Sequence, residues 1–145
     1  AIKIKRNKKE IEKTRNRIIK ELQKIPKTKI NGSLKNRLYN NINVSFYGIE
    51  GESLMMMLDQ EGIMVSTGSA CSSHKLQESY VLKAIKAPEM YINGSIRITL
   101  DPTKPLTEKE TDFIIEKIKE KVNKLREISP FKINSPKINS RGKNG

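Results

Sequence analysis

The chain has one cysteine, one histidine and seven tyrosines and phenylalanines among its 145 residues. A single cysteine cannot close an internal disulfide, which fits a reducing compartment, cytoplasmic or, in a eukaryote, the mitochondrial matrix. No apolar run approaches the roughly 20 residues that a membrane helix needs. The basic N-terminus has no apolar stretch behind it, unlike a secretory signal. Few aromatics, none clustered on a basic strand, argue against a module that stacks RNA bases. No metal site is expected.

Basic charge is abundant, at a net +13. Taken alone it would point to nucleic acid. Its distribution argues otherwise, because residues 1–35 carry +10, residues 129–145 carry +4, and the middle of the chain is at −1. The body is near neutral, and the positive charge sits on a first helix and a tail. Solvated faces account for such a pattern, and so does docking to an acidic partner.

Apolar spacing predicts an amphipathic helix over 8–25, with Ile11, Ile18, Leu22 and Ile25 on one stripe and Pro26 as its stop. Lys29-Ile30 reads as a short extended piece ended by Asn31-Gly32, and Asn43-Val44-Ser45-Phe46 alternates like a strand. A second helix spans Gly51 to Glu61, with Leu54, Met57 and Leu58 inward and Gly62 as its stop. Ile63-Met64-Val65 reads as a strand leading into Ser66–Ser73, small residues with no reason to be helix or sheet. A short helix follows from about Ser79, and then a strand over Ser95–Leu100. Thr107-Glu108-Lys109-Glu110 is a capping box that opens a long helix with the stripe Ile114, Ile118, Val122 and Leu125, closed by Ser129-Pro130. The order implies an α+β fold, a small, mostly antiparallel sheet with helices packed on it, followed by a basic tail over 131–145 of disordered composition.

Cys71 lies among Gly68, Ser69, Ala70, Ser72 and Ser73, which offer no bulk to bury it. A lone cysteine is more often a small buried apolar residue than a nucleophile. These neighbours favour an accessible thiol, and His74 and Lys75 could supply the positive charge that favours a thiolate. The residues alone indicate a redox or transfer cysteine without choosing between them.

The stretch Ser66-Thr67-Gly68-Ser69-Ala70-Cys71-Ser72 resembles the S-S-G-S-A-C-[ST] loop of NifS/IscS-type cysteine desulfurases. Asn40-Asn41-Ile42-Asn43-Val44-Ser45-Phe46, Glu50-Gly51-Glu52-Ser53-Leu54 and Ser95-Ile96-Arg97-Ile98-Thr99-Leu100 resemble three further blocks of that family, in its order. The similarity covers roughly residues 9–130. Tyr39 stands where the family usually has a proline, and Asp101 where it has a glycine. The tail after Pro130 departs from the family ending that helps dock the iron–sulfur scaffold protein.

The resemblance implies the C-terminal small domain of a fold-type I pyridoxal phosphate enzyme, covering residues 1–130. It implies a reaction that takes sulfur from L-cysteine, giving L-alanine and a persulfide on the enzyme for iron–sulfur cluster or thiolation pathways. Cys71 takes the nucleophile's position, and Arg97 that of the arginine that binds the substrate carboxylate. A planar guanidinium suits that two-oxygen grip, although a strand-edge salt bridge would be the ordinary role of such an arginine. The lysine that carries pyridoxal phosphate belongs to the family's large domain, which this chain is expected to lack, so no cofactor-binding residue is expected here. Ser72-Ser73-His74-Lys75 imitates the family's cofactor-lysine sequence, but it lies in the cysteine loop and reads as coincidence. Implied partners are the large domain, a second copy in a homodimer, a scaffold or other sulfur acceptor and L-cysteine, with no membrane or nucleic acid. Two alternatives from other classes are a stand-alone persulfide carrier or regulatory partner without a cofactor, and a basic RNA-binding module.

Overall fold

A computed structural model describes residues 2–33, 35, 37–67 and 93–129. The helix expected from Ser79, Cys71 with its neighbours 68–75, and the tail 131–145 lie outside the described residues.

Helix α1 spans Ile2–Leu22. It starts before the expected residue 8 because Lys and Arg are good helix formers even without an apolar partner, whereas the stripe begins only at Ile11. It ends three residues early because Pro26 disfavours helical geometry at Ile25, and the last turn tightens through Ile25 N–H to Leu22 O at 3.1 Å. Ile11, Ile18, Leu22 and Ile25 are all buried, as the spacing requires. Arg15 shares the stripe and is only 4% exposed. Its Nη1 donates to Leu38 O at 3.1 Å, so a guanidinium replaces an aliphatic side chain there by finding acceptors.

The strands are β1 (Thr28–Ile30), β2 (Asn41–Phe46), β3 (Ser66–Thr67) and β4 (Ser95–Thr99), in the sheet order β1-β2-β4-β3. All three pairings are antiparallel. The expected strand at 63–65 is not one. Ile63 is buried, but Met64 is 85% exposed, and the chain pairs with β4 only at Ser66 and Thr67. Ladder register with β4, not local apolarity, chooses where an edge strand of two residues forms.

Helix α2 spans Gly51–Gln60, with Leu54 and Leu58 buried and Met57 half-buried, and Gly62 beyond it takes a φ of +79°. Helix α3 spans Glu108–Ile128. The Thr107 hydroxyl accepts from Glu110 N–H at 3.1 Å, and Thr107 N–H donates to the Glu110 carboxylate at 2.8 Å, the reciprocal bonds of a capping box. Thr107→Ala is expected to cost about 1 kcal/mol, read as a lower midpoint in urea; an unchanged midpoint would mean that water satisfies the freed N–H groups equally well. At the start of the stripe Ile115 is buried and Ile114 only partly so; Ile118, Val122 and Leu125 are inward as expected.

Ile42, Val44, Phe46, Ile96 and Ile98 alternate onto one face of the sheet and form a single core with the buried stripes of the three helices. Arg126 ties the layers together near the end of α3, donating to Pro26 O at 2.6 Å and Lys27 O at 3.0 Å. Lys121 of α3 donates to Glu61 at 3.0 Å, a bond that holds the Glu61 carboxyl below the usual carboxylate range. The α+β reading, helices on a small antiparallel sheet, agrees with this architecture.

Candidate active site

With Ile96 and Ile98 committed to the core, Ser95, Arg97 and Thr99 must point to the opposite face. β2 contributes Asn41, Asn43 and Ser45 to that face, and β3 contributes Ser66. The far side of the sheet is therefore polar throughout its centre. Arg97 lies midway across it, with Asn43 opposite on β2 and Ser66 opposite on β3.

The Arg97 side chain is exposed, and its guanidinium makes no hydrogen bond or ion pair with any described residue. The ordinary role of a strand arginine, a salt bridge to a neighbouring carboxylate, is not seen there. One step along the sheet, a buried chain of polar groups spans three elements. Asn31 Nδ2 donates to Ser45 Oγ at 2.6 Å, and Ser45 Oγ lies 2.6 Å from Ser95 Oγ. Asn31 Nδ2 also donates to Asn43 Oδ1 at 3.1 Å. Asn31 is only 4% exposed, so this network is protected from water.

Position along β4 is fixed by a close corner. Gly94 O accepts from Phe46 N–H at 3.0 Å, and Asn93 O accepts from Gly51 N–H at 2.7 Å. A Cβ on Gly51 would lie 2.5 Å from Ser95 O, which explains why a glycine opens α2. Beyond Thr99, Asp101 accepts from the Thr103 hydroxyl at 2.6 Å and from its N–H at 2.7 Å. These bonds, the hydroxyl's first, hold the Asp101 carboxyl below its ordinary range. Asp101 thus shapes the turn after β4 and forms no ion pair with Arg97.

Sequence reasoning singled out Cys71 and Arg97. The structure describes Arg97 and its surroundings, while Cys71 lies outside the described residues. It missed Asn31, which reads locally as half of an Asn-Gly turn, and Asn43, which reads as the polar half of an alternation. The signal that could have found Asn43 was available, since Asn41, Asn43 and Ser45 occupy every outward position of one strand. Among the described residues no helix is long and apolar enough to cross a membrane, and no group of His, Cys, Asp or Glu could hold a metal ion.

Residues 1–104 match the aminotransferase class-V family. The chain is 47% identical over 119 residues to the cysteine desulfurase IscS of Methanosarcina thermophila, covering 82% of this chain and 29% of that protein. It is 45% identical over 128 residues to the cysteine desulfurase IscS of Dictyoglomus turgidum, covering 86% of this chain and 32% of the relative. Among solved structures, a NifS-like protein superposes with a TM-score of 0.68 at 31% identity, over 83% of this chain and 29% of that one. A NifS-like protein from Rickettsia africae superposes with a TM-score of 0.63 at 26% identity, over 81% and 29%. The chain thus spans less than a third of the relatives it matches.

Class-V aminotransferases and cysteine desulfurases generally use pyridoxal phosphate. The described residues around Arg97 do not fit that group. Asn43 and Ser66 flank the arginine, with no lysine for the aldehyde and no carboxylate for the ring nitrogen among them. The persulfide-carrier and RNA-binding alternatives find no support among these relatives. On both its sequence and its fold, the chain belongs to the aminotransferase class-V family, in the part of it shared with the cysteine desulfurases.

Proposed function

We propose that this chain is the small domain of a cysteine desulfurase, with Cys71 as the sulfur-accepting nucleophile and Arg97 as the group that binds the substrate carboxylate. The observation that supports it most is the pairing of Ser66 with Arg97. The segment that continues from β3 into the cysteine loop starts directly beside an exposed arginine without an anionic partner among the described residues. Cys71 is four residues beyond Thr67, so a span of about 3.6 Å per residue tethers its Cα within about 14 Å of β3. A substrate held by its carboxylate at Arg97 lies within reach of that tether.

In this reading the Cys71 thiolate attacks the sulfur of L-cysteine. An S–S bond forms, the substrate Cβ–S bond breaks, and its electron pair stays with Cβ, which takes up a proton to give L-alanine. The persulfide then passes to an acceptor protein. Pyridoxal phosphate would be held by residues of the enzyme outside this chain, and the enzyme would act as a homodimer in the cytoplasm or, in a eukaryote, the mitochondrial matrix. Residues 1–130 make up the domain, and the basic segment 131–145 is an appendage to it.

Arg97 gives the direct test. In the complete enzyme, Arg97→Ala removes a charge-assisted contact whose loss costs on the order of 2–5 kcal/mol. L-Cysteine binding, followed through the cofactor's absorbance, should weaken at least about thirtyfold. If the variant binds L-cysteine as tightly as the parent, Arg97 is structural and the reading fails at that residue.

A further inference from the structure

Building on the assignment of Arg97 to the substrate carboxylate, we infer that Asn43 is a second donor to the same carboxylate, held in the required orientation by Asn31. The backbone ladder brings the two side chains together. Phe46 N–H bonds Gly94 O, and Leu100 N–H bonds Asn40 O. Counting inward along the antiparallel register, Asn43 and Arg97 fall at a non-hydrogen-bonded pair. Side chains approach most closely at such pairs, with Cβ atoms about 4.5–5.5 Å apart.

The amide of Asn43 has one acceptor and two donors. Its oxygen is turned towards Asn31, because Oδ1 receives the Asn31 Nδ2 bond at 3.1 Å, which leaves the NH2 group on the other side of the amide. The backbone strengthens the link, with Asn31 N–H donating to Asn43 O at 2.9 Å. The orientation of Asn31 follows from what each arrangement leaves unpaired. As found, both N–H groups of its amide are used, on Asn43 and Ser45, and only Oδ1 is buried without a partner. The reversed amide would bury two N–H donors without partners instead. A lone under-satisfied carbonyl is the more tolerable of the two.

Asn43 is therefore left with N–H donors to offer, beside an arginine that is all donors. Neither side chain makes a further bond with any described residue. Two adjacent groups with N–H donors to spare favour a guest rich in acceptors, and a carboxylate has two oxygens for them. Asn31 touches no substrate in this arrangement and is a positioning residue.

Asn43→Asp in the complete enzyme is the informative variant. It keeps the size of the side chain and an oxygen for Asn31 but replaces the donor with a negatively charged acceptor. The probes are L-alanine, which has the carboxylate and no sulfur, and ethylamine, which has the amine and no carboxylate. Dissociation constants come from titrating the cofactor's absorbance. Asn43→Asp should weaken L-alanine binding at least tenfold and leave ethylamine within twofold of the parent. Asn43→Ala should give about tenfold on L-alanine, the loss of one hydrogen bond to a charged group. Unchanged L-alanine binding in both variants overturns the inference, as does an equal loss for both probes, which marks a general effect on the fold. Arg97→Ala separates the two levels. If it weakens L-alanine while the Asn43 variants do not, the inference alone falls; if it has no effect, the carboxylate reading of Arg97 falls and the inference with it.

Discussion

Cys71→Ala is expected to abolish persulfide formation in the complete enzyme while leaving L-cysteine binding within about twofold of the parent. The two effects separate because the proposed roles do. In the proposed reading, carboxylate recognition sits on β4 at Arg97, whereas the thiol follows β3 in sequence and acts only after the substrate is held. A thiolate is the nucleophile that attacks sulfur, and no other side chain in the chain can replace it, since Cys71 is the only cysteine. Cys71→Ser makes the same point more strictly. It keeps the size and a hydrogen-bonding atom, but an unactivated hydroxyl remains protonated at neutral pH, so it too should carry no sulfur. The readouts are sulfane sulfur bound to protein after one turnover and a binding titration with L-cysteine. Persulfide on the alanine variant at the parent's level would remove Cys71 from the chemistry. A large loss of binding would instead mean that it helps to shape the pocket.

Much of this arrangement was legible in the residues because it follows from periodicity. The stripe Ile11, Ile18, Leu22 and Ile25 is buried as spaced, and the capping box at Thr107 forms both of its bonds. The alternation over 95–100 set Arg97 on the face away from the core. What escaped was set by partners distant in sequence. Met64 looks like the centre of an apolar strand, yet it is exposed, because the strand that pairs with β4 is two small polar residues further on. Arg15 and Asn31 are buried for the same kind of reason. Leu38 O lies 23 residues from Arg15, and Ser45 Oγ lies 14 from Asn31, distances over which no local pattern carries information. The small residues around Cys71 singled it out on their own, and the resemblance supplied its expected role and Arg97. It did not supply Asn43, whose significance comes from register with Arg97 and from the amide that fixes it.

Gly94→Ala is expected to be the most damaging conservative change in the described part of the chain. A methyl group on Gly94 would stand 1.9 Å from Phe46 O, 3.0 Å from Phe46 C and 3.1 Å from Ile49 O. All three are backbone atoms, so no side chain can swing aside to make room. Relief requires β4 to move off β2, and that strains both the Gly94 O bond to Phe46 N–H and the adjoining Asn93 O bond to Gly51 N–H. Overpacking of this kind costs about 3 kcal/mol or more when the surroundings are rigid. In a domain of this size that lowers Tm by roughly 10 °C. Gly32→Ala is the control, because Gly32 has a φ of +83° and nothing within 4 Å of an added Cβ. It should cost only about 1 kcal/mol, from backbone conformation alone. Arg97 is three residues beyond Gly94 on the same strand, so a displaced corner would also shift the guanidinium relative to Asn43. Gly94→Ala should therefore weaken carboxylate binding even at temperatures where it stays folded, whereas Gly32→Ala should not. Thermal melts of this chain and L-alanine titrations of the complete enzyme measure the two consequences. A Gly94→Ala variant that melts within 2 °C of the parent would show that the corner yields, and that the position of β4 rests on the core residues Ile96 and Ile98 instead.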